Sequence, residues 1–201
     1  MTETTPLVGR RERKKAATRK ALADAALEMF LERGYDQVSI RDIAEAADVS
    51  TTTLFKHFPS KEALVFDLDA DREAALVGAV RERSPGTSVP QALRAHMLGA
   101  RSFRPEYAEQ LAAFRRLVNS TPALIEYHRR MWMRYERALA EAIATELGAP
   151  ADDPACAALA HFALEARTLA GPSSDPVAAV NTAFDLLEGG WDAVRPGAGR
   201  D

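Results

Sequence analysis

At 201 residues, with 47% hydrophobic and 27% charged side chains, the chain can bury a real core, as one large domain or two unequal ones. No apolar run approaches the roughly 18 residues that a bilayer span needs. The N-terminus MTETTPLVGRRERKK lacks the apolar stretch of a secretory signal, and Cys156, the lone cysteine, cannot form an internal disulfide, so a cytoplasmic protein without a membrane partner is expected. The net charge of −3 is uneven. Residues 1–20 carry seven basic and two acidic side chains, a local +5, which leaves −8 on residues 21–201. Such a distribution favours an anionic partner at one end; a merely solvated basic tail stays open as the plainer reading.

In chain order, Leu22, Ala25, Ala26, Met29 and Phe30 recur at helical spacing and Gly34 follows, which predicts a first helix from about Arg11 to Arg33. Ser39 with Asp42 has capping-box spacing, and Ile40, Ile43, Ala44 and Ala47 mark one face of a second helix ending near Ala47. Asp48 stands where a left-handed residue is expected, with Val49 as an apolar plug. Ser50 opens a third helix that ends before Pro59. Ser60 caps a fourth, expected to run unbroken to about Arg83 with Leu64, Leu68, Ala75, Leu76 and Val80 inward. Beyond SPGTSVP, prolines at the first helical position start further helices at about 90–103, 105–119, 122–147, 154–170 and 176–193, with Gly148 and Gly171 as stops. The fold class is all-α with about nine helices. No strand alternation is found.

The stretch DVSTTTLFKHFPSKEAL (48–64) carries the chemistry. Two short helices joined by a tight turn form a helix-turn-helix, whose second helix enters the DNA major groove. Thr51, Thr52 and Thr53 are short enough to allow close approach to bases. Leu54 and Phe58 face inward, while Phe55, Lys56 and His57 face outward. Lys56, His57 and Lys61 are candidate phosphate donors, as are the helix starts at Ser39, Ser50 and Ser60. Arg41 of the second helix joins the candidate DNA contacts. Arg10, Arg11, Arg13 and Lys14 are expected on an arm ahead of the first helix, within reach of a minor groove or flanking phosphates.

SIRDIAEAADVSTTTLFKHFPSKEAL (39–64) resembles the DNA-binding domain of the TetR family of bacterial repressors, and with the first helix the resemblance covers about residues 12–70. Asp48 stands where the family commonly has Gly, and Phe55 where it commonly has Tyr, whose hydroxyl often reaches a phosphate. The expected organisation is a basic arm beginning in a disordered segment 1–10, a DNA-binding domain 11–59 (motif 39–58), a connecting helix 60–83, a ligand-binding and dimerisation domain 84–195, and a disordered tail 196–201. The resemblance implies a homodimer on a palindrome-like double-stranded operator, released by a small apolar effector. The segment from Ser120 to Gly148 is similar to mycofactocin-type regulators, some of which respond to acyl-CoA.

For the dimer interface, Val177, Val180, Phe184, Leu187 and Trp191 step by 3 and 4 along the last helix, and Leu159, Ala163, Ala166 and Ala170 form a small-residue face on the helix before it. Intramolecular core is the alternative for both. Phe103, Tyr107, Phe114, His128, Met131, Trp132 and Tyr135 are the candidate pocket residues; plain core is again the alternative. Arg129, Arg130, Arg134 and Arg137 read as a solvated face or as an anion site. No HExxH, CxxC pair, P-loop or GxSxG occurs, so no enzyme, metal site or cofactor is expected. A helical scaffold with a basic N-terminus remains the alternative function.

Overall fold

The computed structural model of the protein describes residues 9–100, 105–170 and 173–195. All regular structure among them is helical: α1 (Arg10–Arg33), α2 (Ile40–Ala46), α3 (Thr51–His57), α4 (Lys61–Val65), α5 (Asp69–Arg81), α6 (Val89–Leu98), α7 (Ala108–Ser120, preceded by a 3-10 turn Pro105–Tyr107), α8 (Pro122–Glu146), α9 (Pro154–Ala170) and α10 (Pro176–Val194). No described helix is long and apolar enough to cross a membrane. The expected stop at Gly171 and the tail 196–201 lie outside the described residues, as do residues 1–8 of the arm.

Two compact units form. The first comprises the described residues up to Leu68 together with Ala113–Tyr127, and the second those from Asp69 to Ala112 and from His128 onward. In unit 1, α1 packs against α2, α3 and α4. Leu22, Ala26 and Phe30 of α1 are buried with Ile43 and Ala44 of α2 and Leu54 and Phe58 around α3. Phe66, just after α4, is also buried; it meets Phe114 edge-on at 5.9 Å between centroids and stacks on Tyr127 at 5.3 Å. In unit 2, α10 packs on α9 and α6, and α6 on α5 and α9.

The short elements follow from their caps. Ser39 accepts from the Asp42 amide while the Asp42 carboxylate accepts from Ser39, closing the expected capping box. Gly34, at φ +87°, ends α1, and Asp48, at φ +53°, takes the left-handed position between α2 and α3. Asp tolerates that conformation through its short polar side chain, at more cost than glycine.

The fourth helix is a correction. The unbroken helix expected over 60–83 is two helices separated by residues 66–68. The Asp67 carbonyl, which a continuous helix would use internally, accepts instead from Arg19 at 2.7 Å. Phe66 is drawn into unit 1 by its two aromatic partners. Asp69 and Asp71 then supply the acidic first turn that a new helix start favours. Leu68 and Ala75, expected inward, are exposed, while Leu76 and Val80 are buried. The sixth helix also stops early, at Leu98, with Gly99 next.

Candidate nucleic-acid interface and effector site

On α3 the division of faces is as expected. Leu54 and Phe58 are fully buried, and Thr51, Thr52, Phe55 and Lys56 are exposed. The three threonines are not equivalent. Ser50 caps α3 by accepting from the Thr53 amide, and the Thr53 hydroxyl lies 2.9 Å from the Ser50 hydroxyl, so Thr53 is spent on the helix start. Thr51 and Thr52 therefore carry the outward hydroxyls and methyls of the helix.

Several expected phosphate contacts are committed elsewhere. The Lys61 ammonium donates to the Tyr35 carbonyl at 2.5 Å and sits over the Tyr35 ring at 4.1 Å and the Phe30 ring at 5.4 Å. Burial holds its pKa below the usual lysine range, against the pull of Asp36 and Glu62. Lys61 is thus a tie between α4 and the loop after α1. His57 is half-buried, and burial together with Arg19 and Lys15 lowers its pKa, which disfavours the protonated imidazole. Arg41 is exposed but bridges Glu45 at 2.8 Å. The Ser39 amide and hydroxyl both donate to Asp42, whose carboxyl is held below the usual range by those bonds and already puts an anion at the start of α2. The Ser60 hydroxyl caps α4 through the Ala63 amide. These serines work as caps.

Arg10, Arg11, Arg13 and Lys14 are exposed in the first turns of α1, not on an arm ahead of it. Their straight-chain stems are good helix formers, and no Pro or Gly interrupts the sequence between Gly9 and Gly34. Their charges lie at the positive end of the helix dipole, with Glu12 as the acidic side chain of that turn. A polyanion laid across this end would relieve the repulsion.

Arg19 is the residue that reading the sequence missed. Its guanidinium donates to the carbonyl oxygens of His57, at 2.6 Å, and Asp67, and lies 4.2 Å from the Phe58 ring centroid. It satisfies a carbonyl at the end of α3 and so holds the helix at its C-terminal end. The signal was present: Arg19 precedes Leu22, Ala26 and Phe30 by helical steps, a cation on the buried stripe.

In unit 2 the candidate pocket residues divide. Met131 and Tyr135 are buried, and His128, Trp132 and Tyr107 are half-buried. His128 stacks on Trp132 at 5.4 Å, Trp132 lies 6.3 Å from Tyr135, and the Tyr135 hydroxyl donates to the Asp69 carbonyl. Burial lowers the pKa of both His96 and His128, with Arg167 adding to the shift in each and Arg72 in His128. Phe114 instead serves the aromatic cluster of unit 1, and Phe103 lies outside the described residues. An open groove of about 510 Å³ between α5 and α8 is lined by Asp69, Glu73, Arg81, Arg134 and Glu141 around small apolar side chains; apart from Arg134, none of the residues singled out from the sequence faces it. Arg134 is paired with Asp69 and Glu73, and Arg137 lies 3.7 Å from Glu141, so neither stands as an unpaired cation.

The expected dimer seam is also corrected. Leu159, Ala163, Ala166 and Ala170 of α9, and Val180, Phe184 and Trp191 of α10, are buried within one chain, with Leu187 half-buried; of the set, Val177 remains exposed. The a/d spacing marks the α9–α10 packing itself. The outward faces are different ones: Phe162 (55% exposed) and Leu169 (66%) on α9, and Leu186 (75%) on α10, where Ala183, Gly189, Gly190 and Ala193 are its small neighbours.

A capped helix pair with a polar, outward second helix, braced on a basic first helix and followed by a separate helical unit, defines a helix-turn-helix transcriptional regulator. The chain belongs to the TetR family: residues 22–68 match the bacterial regulatory proteins of the tetR family, and residues 87–192, more than half the chain, match the MftR C-terminal domain. It is 35% identical over 151 residues to the HTH-type transcriptional regulator TcmR of Streptomyces glaucescens, covering 72% of this chain and 67% of that protein. It is 28% identical over 188 residues to the mycofactocin biosynthesis transcriptional regulator MftR of Mycobacterium tuberculosis, covering 90% and 95%. Among solved structures, Salmonella enterica GusR has the same fold (TM-score 0.56, 22% identity, 89% and 95% covered). So does Thermus thermophilus FadR, a repressor in complex with lauroyl-CoA (TM-score 0.51, 24% identity, 85% and 93% covered).

Proposed function

We propose that the protein is a homodimeric repressor that grips a two-fold symmetric operator through α3 and is released by an effector bound within unit 2. The observation that carries the reading is α3 itself, seven residues held by buried Leu54 and by the buried Phe58 that follows them, and presenting Thr51, Thr52, Phe55 and Lys56 to solvent. One such helix spans too few base pairs to select a site alone, and a dimer doubles the reading across half-sites about 34 Å apart. Arg10, Arg11, Arg13 and Lys14 add charge to flanking phosphates or a minor groove. Acting on DNA, the protein works in the cytoplasm.

The dimer forms through the outward faces of α9 and α10. Phe162, Leu169 and Leu186 are large apolar side chains left in water, which a partner copy covers. Small residues beside Leu186 permit close helix approach. The effector is an amphiphile with an apolar body and an anionic end, of which an acyl-CoA is the leading candidate. Trp132, Met131 and Tyr135 offer the apolar surface, and Arg167 and Arg72 the cationic character, with the imidazoles of His96 and His128, whose protonated forms burial disfavours, as polar neighbours; the lauroyl-CoA held by Thermus thermophilus FadR supports the class. A coupling of about 1–3 kcal/mol is enough for a 5- to 150-fold loss of operator affinity.

The test is selection of bound duplexes from a random library, followed by titration of the recovered duplex with and without lauroyl-CoA. Dyad-symmetric sites and weakened binding in its presence are expected. Sites without symmetry, bound by a monomer at micromolar concentration, would overturn the dimeric reading.

A further inference from the structure

Phe55 is the unusual feature of the reading helix. Phe30, Phe58 and Phe66 of the same unit are buried, whereas the Phe55 ring is 52% exposed at the middle of α3. It lies four residues after Thr51, one helical turn along the same face, so the threonine methyl and the phenyl ring form one apolar strip. Thr51, Thr52 and Lys56 stay outward, but three other polar groups near the ring are withdrawn. The Thr53 hydroxyl is at Ser50, Lys61 is beneath Tyr35 and Phe30, and Arg41 is bridged to Glu45. A phenyl ring has no hydrogen bond to offer a base edge. What the major groove offers an apolar side chain is the C5-methyl group of thymine.

Taking the DNA-reading role of α3 as given, we infer that Phe55, with the Thr51 methyl beside it, is a specificity-determining residue that reads the operator through thymine methyl groups. Phe55 selects thymine over cytosine or uracil at the base step it covers, by burying one or two methyls against its ring. Hydrogen bonding contributes little at that step. Burying one methyl gives about a fourfold preference per half-site, and about fifteenfold when both half-sites of a dimer carry it.

The experiment runs two selections on the full-length protein. One uses a random duplex library synthesised with thymine, the other the same library with deoxyuridine in its place. The recovered duplexes are then measured by fluorescence anisotropy in thymine, uracil and 5-methylcytosine versions. Expected is a half-site with fixed thymines in the first library, no matching consensus in the second, and a tenfold or greater loss on replacing those thymines with uracil. Phe55→Ala should bind thymine and uracil versions alike, while Phe55→Leu, still apolar, should keep part of the preference. Both substitutions are at an exposed position, and circular dichroism checks that helicity is kept. The same consensus and affinity from both libraries would overturn the inference, as would a Phe55→Ala variant that keeps the full discrimination. Enrichment from neither library would instead refute DNA reading by α3, a different outcome.

Discussion

α3 and α10 answer the same question differently. Each presents a regular apolar pattern, and each has one face against its own unit and one left outside. In α3 the buried face is two residues, Leu54 and Phe58, and everything else is short, polar or solitary. In α10 the buried stripe of Val180, Phe184 and Trp191 is backed by an outer face that is itself apolar and small, with Leu186, Gly189, Gly190 and Ala193. A helix with a single apolar face reveals its orientation. A helix with apolar or small residues on two faces does not, since periodicity alone cannot say which side meets its own chain.

The largest expected effect compares the two inner faces directly. Leu54→Asp and Phe184→Asp should each cost several kcal/mol, since both bury an unpaired carboxylate. Thermal melts should show loss of cooperative folding in both. If Phe184→Asp instead gave a well-folded monomer, α10 would have been assigned the wrong inner face.

Next come the outer faces. Phe162→Glu combined with Leu186→Glu should leave the helical signal and melting temperature of the chain nearly intact while converting dimer to monomer in sedimentation. Phe55→Glu on α3 should keep the dimer and abolish operator binding. A double variant that stays dimeric would move the interface elsewhere.

A smaller contrast separates the two lysines near α3. Lys56→Ala should lower the slope of log K against log salt by about one per half-site, as expected for a lost phosphate contact. Lys61→Met should leave the slope unchanged and lower stability by about 1 kcal/mol through the lost bond to Tyr35. Equal slopes for Lys56→Ala and the parent protein would remove Lys56 from the phosphate contacts.

The smallest effect concerns acid. Asp153 accepts from Arg195 and from the amides of Ala155 and Cys156, and the Arg195 bond, first among these, holds its carboxyl at about 2, against an ordinary 3.8. Because the folded value is the lower one, the stabilisation is complete above the ordinary value and fades as pH falls from about 4 towards 2. Asp153→Asn should therefore melt below the parent at pH 7, with the gap closing by about pH 2. A gap independent of pH would assign the difference to packing.

How much the sequence disclosed follows the same division. The caps at Ser39 and Ser50, the left-handed Asp48 and the inward pair Leu54 and Phe58 were all readable, because each depends on a few neighbouring residues. The break at residues 66–68 was not, since FDLDADRE contains no proline or glycine and the causes, Arg19 and the rings of Phe114 and Tyr127, are remote in sequence. The same holds for Lys61, whose surface pattern suits a phosphate contact but whose ammonium is held by Tyr35. Long-range partners decide such side chains, and periodicity carries no record of them.

The discontinuity of unit 1 limits how this regulator can be recombined. A chimera spliced after Leu68, attaching this reader to another sensing unit, would leave behind Phe114 and Tyr127, and with them the two rings that enclose Phe66. The transplanted segment would carry an uncovered phenyl ring at its cut end and would tend to aggregate. A graft that keeps operator choice must take the corner 113–127 along, which fixes part of the recipient's α7 and α8. The reader is not a cassette, and any lineage that exchanged it had to exchange, or reinvent, that corner as well.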